Sequence, residues 1–190
     1  MPPRPYHHGS LRRAVLDTAV EALLESGPGG VSLRELARRA GVSHAALTHH
    51  FVDKAGLLTA LAEEGYTRLA DALDAERERT QDFVELGVAY VRFAISHRAH
   101  FEVMNRPDLY HPKEPALVAA QARAEAALHD GLGALAKRRL GPDARLGALA
   151  AWSIVHGFAV LYINGMVPEE LGEDPDAIAR AVAGLLLRAP

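Results

Sequence analysis

SLRELARRAGVSHAALTHHFVDK, residues 32–54, holds two short runs of helical periodicity on either side of a single glycine. Ser32 and Glu35 match the Ser-x-x-Glu pattern in which each side chain caps a backbone N–H of the other's end. Leu33, Leu36, Ala37 and Ala40 recur at helical spacing, with Arg34, Arg38 and Arg39 on the remaining faces. Gly41 supplies the left-handed residue that ends a first helix, and Val42 plugs the corner. Ser43 caps a second helix in which Ala46, Leu47 and Phe51 face inward, leaving His44, Ala45, Thr48 and His49 outward. A helix, a glycine turn and a second short helix form the helix-turn-helix pattern, whose second helix enters a DNA major groove. Such corners also occur in proteins that never touch DNA, so the pattern alone leaves that alternative open.

Working outward, residues 1–9 are rich in Pro and His and read as a loose arm, with Arg4 within it. From Ser10, the positions Leu11, Ala14, Val15, Thr18, Ala19, Ala22 and Leu23 form the apolar stripe of a helix that Gly27-Pro28-Gly29-Gly30 breaks. Asp53 caps a long helix to about Arg79, buried through Leu57, Leu58, Leu61, Ala62, Tyr66, Leu69 and Leu73. Further helices are predicted over 82–96, 99–104, 115–140 and 144–164. A loop with two prolines fills 105–112, Gly141-Pro142-Asp143 makes a break, and Asp174 and Pro175 start a last helix. The expectation is an all-α chain of about nine helices, with a helix-turn-helix head over 1–54 and a ligand-binding and dimerisation domain over 55–190. Leu146 to Val160 is apolar nearly all round, and the last helix adds Ile178, Ala179, Val182, Leu185 and Leu186. Two such helices from each of two subunits would make a four-helix seam; an internal core helix is the alternative.

Composition narrows the class. The 190 residues include 49% hydrophobic side chains and no cysteine, which excludes disulfides, thiolate catalysis and cysteine metal sites. No uninterrupted apolar run reaches the roughly 18–20 residues of a membrane span, and no signal-peptide pattern opens the chain, so a cytoplasmic protein without a membrane partner is expected. The net charge of −3 is uneven, since residues 1–54 hold seven Lys/Arg against five Asp/Glu. A modestly basic module on an acidic body suits a DNA reader that grips phosphates through a small patch.

Gly41-Val42-Ser43, Leu47, His50-Phe51 and Asp53-Lys54, in this order, resemble the signature of TetR/AcrR-type transcriptional regulators. Tyr6-His7-His8-Gly9-Ser10-Leu11-Arg12 resembles the run that opens many of them. Trp152-Ser153-Ile154-Val155-His156-Gly157 resembles the tryptophan–histidine–glycine region of one subgroup. The resemblance implies a homodimeric repressor on a palindromic double-stranded DNA operator, released by a small-molecule effector. It places Arg34, His44, Ala45, Thr48 and His49 at base edges, and Ser43, Thr48, His50 and Lys54 at phosphates. It implies a dimer interface through Trp152, Val155, Ala159, Ile178, Val182 and Leu185. Candidates for the effector pocket are Phe93, His97, Phe101, Met104, Tyr110, Trp152, His156 and Phe158, each of which also reads as ordinary core. The sequence departs from the family at Thr48, where tyrosine is usual, and the shorter side chain puts the backbone contact made there in question.

Two other classes compete with this reading. His97, His100 and His111 invite a histidine-based metal sensor, yet no His-Glu-x-x-His motif accompanies them, and no metal or cofactor is assigned. A helical adaptor could keep the head without binding DNA. No nucleophile elbow, phosphate loop or Ser-His-Asp order suggests an enzyme.

Overall fold

The computed structural model describes the backbone of residues 8–140 and 144–185. Residues 1–7 of the expected arm, with Arg4, the break at Gly141, Pro142 and Asp143, and Leu186 lie outside the described residues, while the arm's last two residues, His8 and Gly9, are not loose but open α1. Nine α-helices and no strand are present among the described residues. They are α1 (His8–Gly30), α2 (Leu33–Arg39), α3 (His44–Phe51), α4 (Lys54–Thr80), α5 (Phe83–Ser96), α6 (Arg98–Met104), α7 (Pro115–Leu140), α8 (Ala144–Ile163) and α9 (Pro175–Leu185). The glycine break in α1 falls at Gly27, whose φ of 66° and ψ of 174° interrupt the helix.

The chain forms two compact units. The first takes the chain up to Gly65 and then Ala99–Val118; the second takes Tyr66–Arg98 and the chain from Ala119. In the first unit, α1, α2 and α3 enclose Val15, Leu16, Ala19, Leu23, Leu36, Ala37, Leu47 and Phe51, all buried. The beginning of α4 adds Leu57, Leu58 and Leu61. Where α4 meets α6 a side chain would not fit: a Cβ on Gly65 would lie 2.5 Å from the Met104 sulfur. The stretch after α6 returns to α4, and the His111 N–H donates to the Thr59 hydroxyl at 3.0 Å.

In the second unit, α5, α8 and α9 pack together. A Cβ on Gly87 of α5 would meet Val155 of α8 at 3.0 Å and Ala183 of α9 at 3.5 Å, so this glycine sets the closeness of the three helices. Two ion pairs tie α5 to α9, Arg92 with Asp176 at 2.5 Å and Arg180 with Glu85 at 2.5 Å. Between α5 and α8 lies a polar chain. Trp152 Nε1–H donates to the Tyr90 hydroxyl at 3.3 Å, and the Tyr90 hydroxyl lies 2.9 Å from His156 Nδ1. Burial pushes Tyr90 up to about 12 and lowers His156.

Helix α8 corrects the membrane expectation in one respect. Arg145–Ile163 is long and apolar enough to cross a membrane by length and composition, with 28% of it buried within the structure. Counting uninterrupted apolar runs missed this because Ser153 and His156 break the run without lowering its average much. Its exposed positions include Leu146, Leu149, Trp152 and Leu161.

These contacts make two outcomes testable. A Cβ on Gly56 would lie 2.0 Å from the Phe51 carbonyl oxygen, a backbone atom that cannot swing away. Gly56→Ala is expected to destabilise the protein by about 1–3 kcal/mol in thermal or denaturant unfolding. His156 has its pKa lowered in the folded state, so the unfolded chain binds more protons as the pH falls. Stability is therefore expected to be full above the unfolded histidine value of about 6.5 and to decline on acidification through it. His156→Asn, which keeps a hydrogen-bonding group beside Tyr90, should flatten that part of the Tm–pH curve.

Candidate nucleic-acid interface

The corner between α2 and α3 is built from backbone hydrogen bonds. Gly41 adopts φ 66°, where an L side chain is disfavoured. The Val42 N–H donates to the Ala37 carbonyl at 3.0 Å and the Gly41 N–H to the Arg38 carbonyl at 3.3 Å. This pair of bonds is the Schellman arrangement that satisfies the last carbonyls of α2. Ser43 then caps α3, its hydroxyl accepting from the Ala46 N–H at 3.1 Å. Beyond α3 the chain turns within three residues. The Asp53 N–H donates to the Phe51 carbonyl at 2.6 Å, with Val52 at φ 63° and ψ −59°. That is a γ-turn about a β-branched residue, a sparsely populated conformation. Asp53 then caps α4, its Oδ1 accepting from the Gly56 N–H at 2.7 Å.

Ser32 is a correction. It stands at the start of α2 with extended backbone, but its side chain makes no capping hydrogen bond. Glu35 is drawn the other way along the helix, accepting from Arg38 at 2.6 Å and from Arg39 at 2.9 Å. Hydrogen bonds from Arg38, and then Arg39, hold the Glu35 carboxyl down at about 2.

On the outer face, His44, Ala45 and His49 are exposed, as are Arg34 and Ser43, while Thr48, His50 and Lys54 are half-buried. The Thr48 hydroxyl lies 3.0 Å from the His44 carbonyl and 3.1 Å from the Ala45 carbonyl, so its proton is engaged within α3 and the oxygen is left as an acceptor. Lys54 donates to the Gly29 carbonyl at 3.1 Å, which ties α4 to the end of α1. Its remaining protons and its charge stay available at the α4 N-terminus.

The cations of this unit divide sharply. Arg13 is held by Asp17 and Glu64, Arg38 by Glu35, and Arg39 by Glu35 and Glu25. Arg12, Arg34 and Lys54 have no carboxylate within ion-pair distance among the described residues. Arg12 is not among the contact residues that the sequence suggests. Its guanidinium lies 5.8 Å from the centre of the Phe51 ring, a cation–π contact that sets it beside the end of α3. Its position one turn into α1, next to the expected basic arm, is the signal that could have found it.

The effector-pocket candidates fall into two groups. Phe101, Met104 and Tyr110 belong to the first unit and are buried there, with the Tyr110 hydroxyl donating to the Met104 carbonyl at 3.2 Å. Phe93, His97, Trp152, His156 and Phe158 belong to the second. His97 stacks on Phe93 with ring centres 5.0 Å apart. Of the dimer candidates, Trp152 and Leu185 are exposed and Val182 is half-buried. Val155, Ala159 and Ile178 are buried in their own unit's core, on the faces turned toward its other helices. Among the described residues no three His, Asp or Glu side chains come together as metal ligands. His100 lies 3.9 Å from Glu64, and His111 lies 3.5 Å from Asp53.

The description "Bacterial regulatory proteins, tetR family" matches residues 15–61, and "Tetracyclin repressor-like, C-terminal domain" matches residues 83–186. The chain belongs to the TetR family. Its α2–α3 pair is thus that family's helix-turn-helix. Over 62 residues it is 40% identical to the HTH-type transcriptional regulator BetI of Escherichia coli, a match that spans 33% of this chain and 32% of that protein. The chain thus spans about a third of the length of the curated relatives it matches. A protein of unknown function from Rhodococcus sp. RHA1 is 38% identical, with a TM-score of 0.81 over 98% of both chains. The TetR-family regulator PfmR of Thermus thermophilus is similar in fold, with a TM-score of 0.71 at 23% identity over 92% of this chain and 97% of its own.

The two serines separate cleanly in a stability experiment. Ser43→Ala should cost about 1 kcal/mol through loss of the cap on α3. Ser32→Ala, which removes no capping bond, should leave the unfolding midpoint nearly unchanged. Equal losses would restore the capping box at Ser32.

Proposed function

We propose that this protein is a homodimeric repressor that binds a palindromic operator and is released by a small-molecule effector, working in the bacterial cytoplasm where that DNA lies. The observation that supports the DNA half is an exposed α3 face beside an α2 arginine that has no ion-pair partner among the described residues. Arg34 is the arginine of α2 that no carboxylate among the described residues holds, and its fork can donate two hydrogen bonds to guanine O6 and N7. His44 and His49 supply further polar contacts, Ala45 an apolar contact suited to a thymine methyl. Ser43, Thr48, His50, Lys54 and Arg12 form the phosphate set, which fixes register without reading sequence.

The dimer half is supported by α8. Leu149, Ser153, Gly157 and Leu161 follow one another at four-residue intervals on a face left outside the core, and a Cβ on Gly157 would meet nothing within 4 Å. Such a row is the ridge that packs into the groove of a second helix, and a glycine in it allows close approach. Trp152 from α8 and Val182 and Leu185 from α9 extend the apolar surface. The seam we propose therefore uses a different edge of α8 from Val155 and Ala159, which support it from beneath. Two such heads related by a two-fold axis would meet half-sites about one helical turn, roughly 34–36 Å, apart. An effector that binds more tightly to a state with another spacing lowers DNA affinity by that difference in its own affinities. Candidates to meet it lie within each unit separately: Phe101, Met104 and Tyr110 in the first, and Phe93, His97, Trp152, His156 and Phe158 in the second.

The test is selection of bound sequences from a random duplex library. An enriched palindrome is the expected result. Arg34→Ala should then relax the preference at one base pair per half-site, with a loss of about tenfold or more on the parent sequence. Leu149→Glu, placing a charge in the α8 row, should abolish enrichment of the two-fold site and yield monomer in sedimentation. Failure of the parent to enrich any sequence at low salt would overturn the proposal.

A further inference from the structure

The recognition helix carries no lysine or arginine. Its basic side chains are three imidazoles, His44, His49 and His50. His44 and His49 are exposed, and the His49 and His50 rings meet edge-on with centres 5.8 Å apart. We propose that DNA binding by this head is proton-coupled: His44, His49 and His50 take up protons as α3 enters the groove, so the operator complex tightens as the pH falls. The inference rests on the operator-binding reading above and adds the regulation of that site.

Duplex DNA presents one negative charge for about every 1.7 Å of its axis. Imidazole is the side chain whose ordinary titration lies between about pH 5 and 8, and a nearby negative charge favours its charged form. The complex therefore binds more protons than the free partners. By linkage, a complex that holds more protons than its free partners gains affinity as the pH falls. His49 and His50 also sit in the last turn of α3, where the free carbonyls of the helix end favour a cation.

The surrounding charges leave the DNA as the main new negative field. On α1, Asp17 is paired with Arg13 and Glu25 with Arg39, Glu21 is exposed, and Arg12 lies over Phe51. On α2, Glu35 is held by Arg38 and Arg39, and Arg34 adds positive charge. At the start of α4, Asp53 accepts from the Gly56 N–H and faces His111, and Lys54 is bound to the Gly29 carbonyl. His111 is a fourth titratable ring, but its partner is Asp53, so its protonation forms an ion pair inside the protein.

The experiment is a fluorescence-anisotropy titration of the full chain with two labelled duplexes of equal length, one carrying the selected palindrome and one of mixed sequence. Salt series are run at about pH 6 and about pH 8. The expected result is an affinity about tenfold higher at the lower pH. The plot of log K against log salt should also steepen by about 0.9 for each imidazolium that meets a phosphate. The triple variant H44Q/H49Q/H50Q should show at the lower pH the slope that the parent shows at the higher one, while His111→Gln keeps the parent's pH dependence. If the triple variant does not fold by circular dichroism, the exposed single variants His44→Gln and His49→Gln should each remove part of the coupling. A parent slope independent of pH, or a pH dependence that survives the histidine changes or disappears in His111→Gln, overturns the inference while leaving the operator reading standing. Absence of binding to either duplex at both pH values overturns the operator reading, and this inference with it.

Discussion

An isolated helix of eight residues is unstable in water, because the cost of its first turn is not recovered over so few hydrogen bonds. The length of α3 therefore makes it wholly dependent on its two ends and its inner face. Ser43 closes the first end, and Leu47 and Phe51 bury the inner face against α1 and α2. The second end is more demanding. The Phe51 carbonyl is approached so closely by the start of α4 that only a residue without a Cβ fits at position 56. Val52, 78% exposed, accepts a strained backbone to make the turn. With both ends and one face so occupied, the outer face is free of structural duties. That separation lets His44, Ala45 and His49 vary in chemistry without cost to the fold.

The same division governs the arginines. Exposed ion pairs contribute little to stability, commonly below about 1 kcal/mol each. The pairs of Arg38 and Arg39 with Glu35, and of Arg39 with Glu25, are better understood as holding side chains in place. The Arg39–Glu25 pair joins α2 to α1, and together the pairs hold two cations of α2 against carboxylates. Arg34 has no such partner among the described residues and keeps its guanidinium exposed beside α3. A head with a surplus of only two positive charges over residues 1–54 thus presents its unpaired charge at a few chosen points. That suits recognition by position better than a uniformly basic surface would.

Much of this was legible in the sequence where the controlling chemistry is local. The glycine corner, the Ser43 cap, the Asp53 cap and the Asp174–Pro175 start each depend on residues a few positions apart, and each falls where the pattern predicts. Ser32 misled for an equally local reason. Glu35 has Arg38 and Arg39 at helical spacing, and two guanidinium groups outcompete one backbone N–H. The strain at Val52 had no sequence signal, since valine is among the residues least suited to that conformation. The division of the aromatic residues between two units was also invisible. The chain leaves the first unit at Tyr66 and returns to it at Ala99, so Phe93 and Phe101 lie in different units although eight positions separate them.

Helix α8 shows the deeper limit of periodicity. A helix apolar on every side has no stripe, so nothing in its pattern says which edge meets its own core. The structure resolves this through α5: Val155 packs toward Gly87, which turns Val155 and Ala159 inward and leaves the Leu149–Leu161 row outside. Small residues in the middle of that row, Ser153 and Gly157, favour a helix as its cover over lipid. Close backbone approach strengthens packing against another helix, whereas against fluid chains it offers nothing. The polar chain of Trp152, Tyr90 and His156 agrees, since it places hydrogen-bonding groups at the flank of the apolar surface, where an interface becomes its rim. In the dimer proposed above, a second copy of the chain would supply a matching ridge by symmetry. A seam of that kind would set the two-fold arrangement through the packing of α8, at no separate cost to the face of α3.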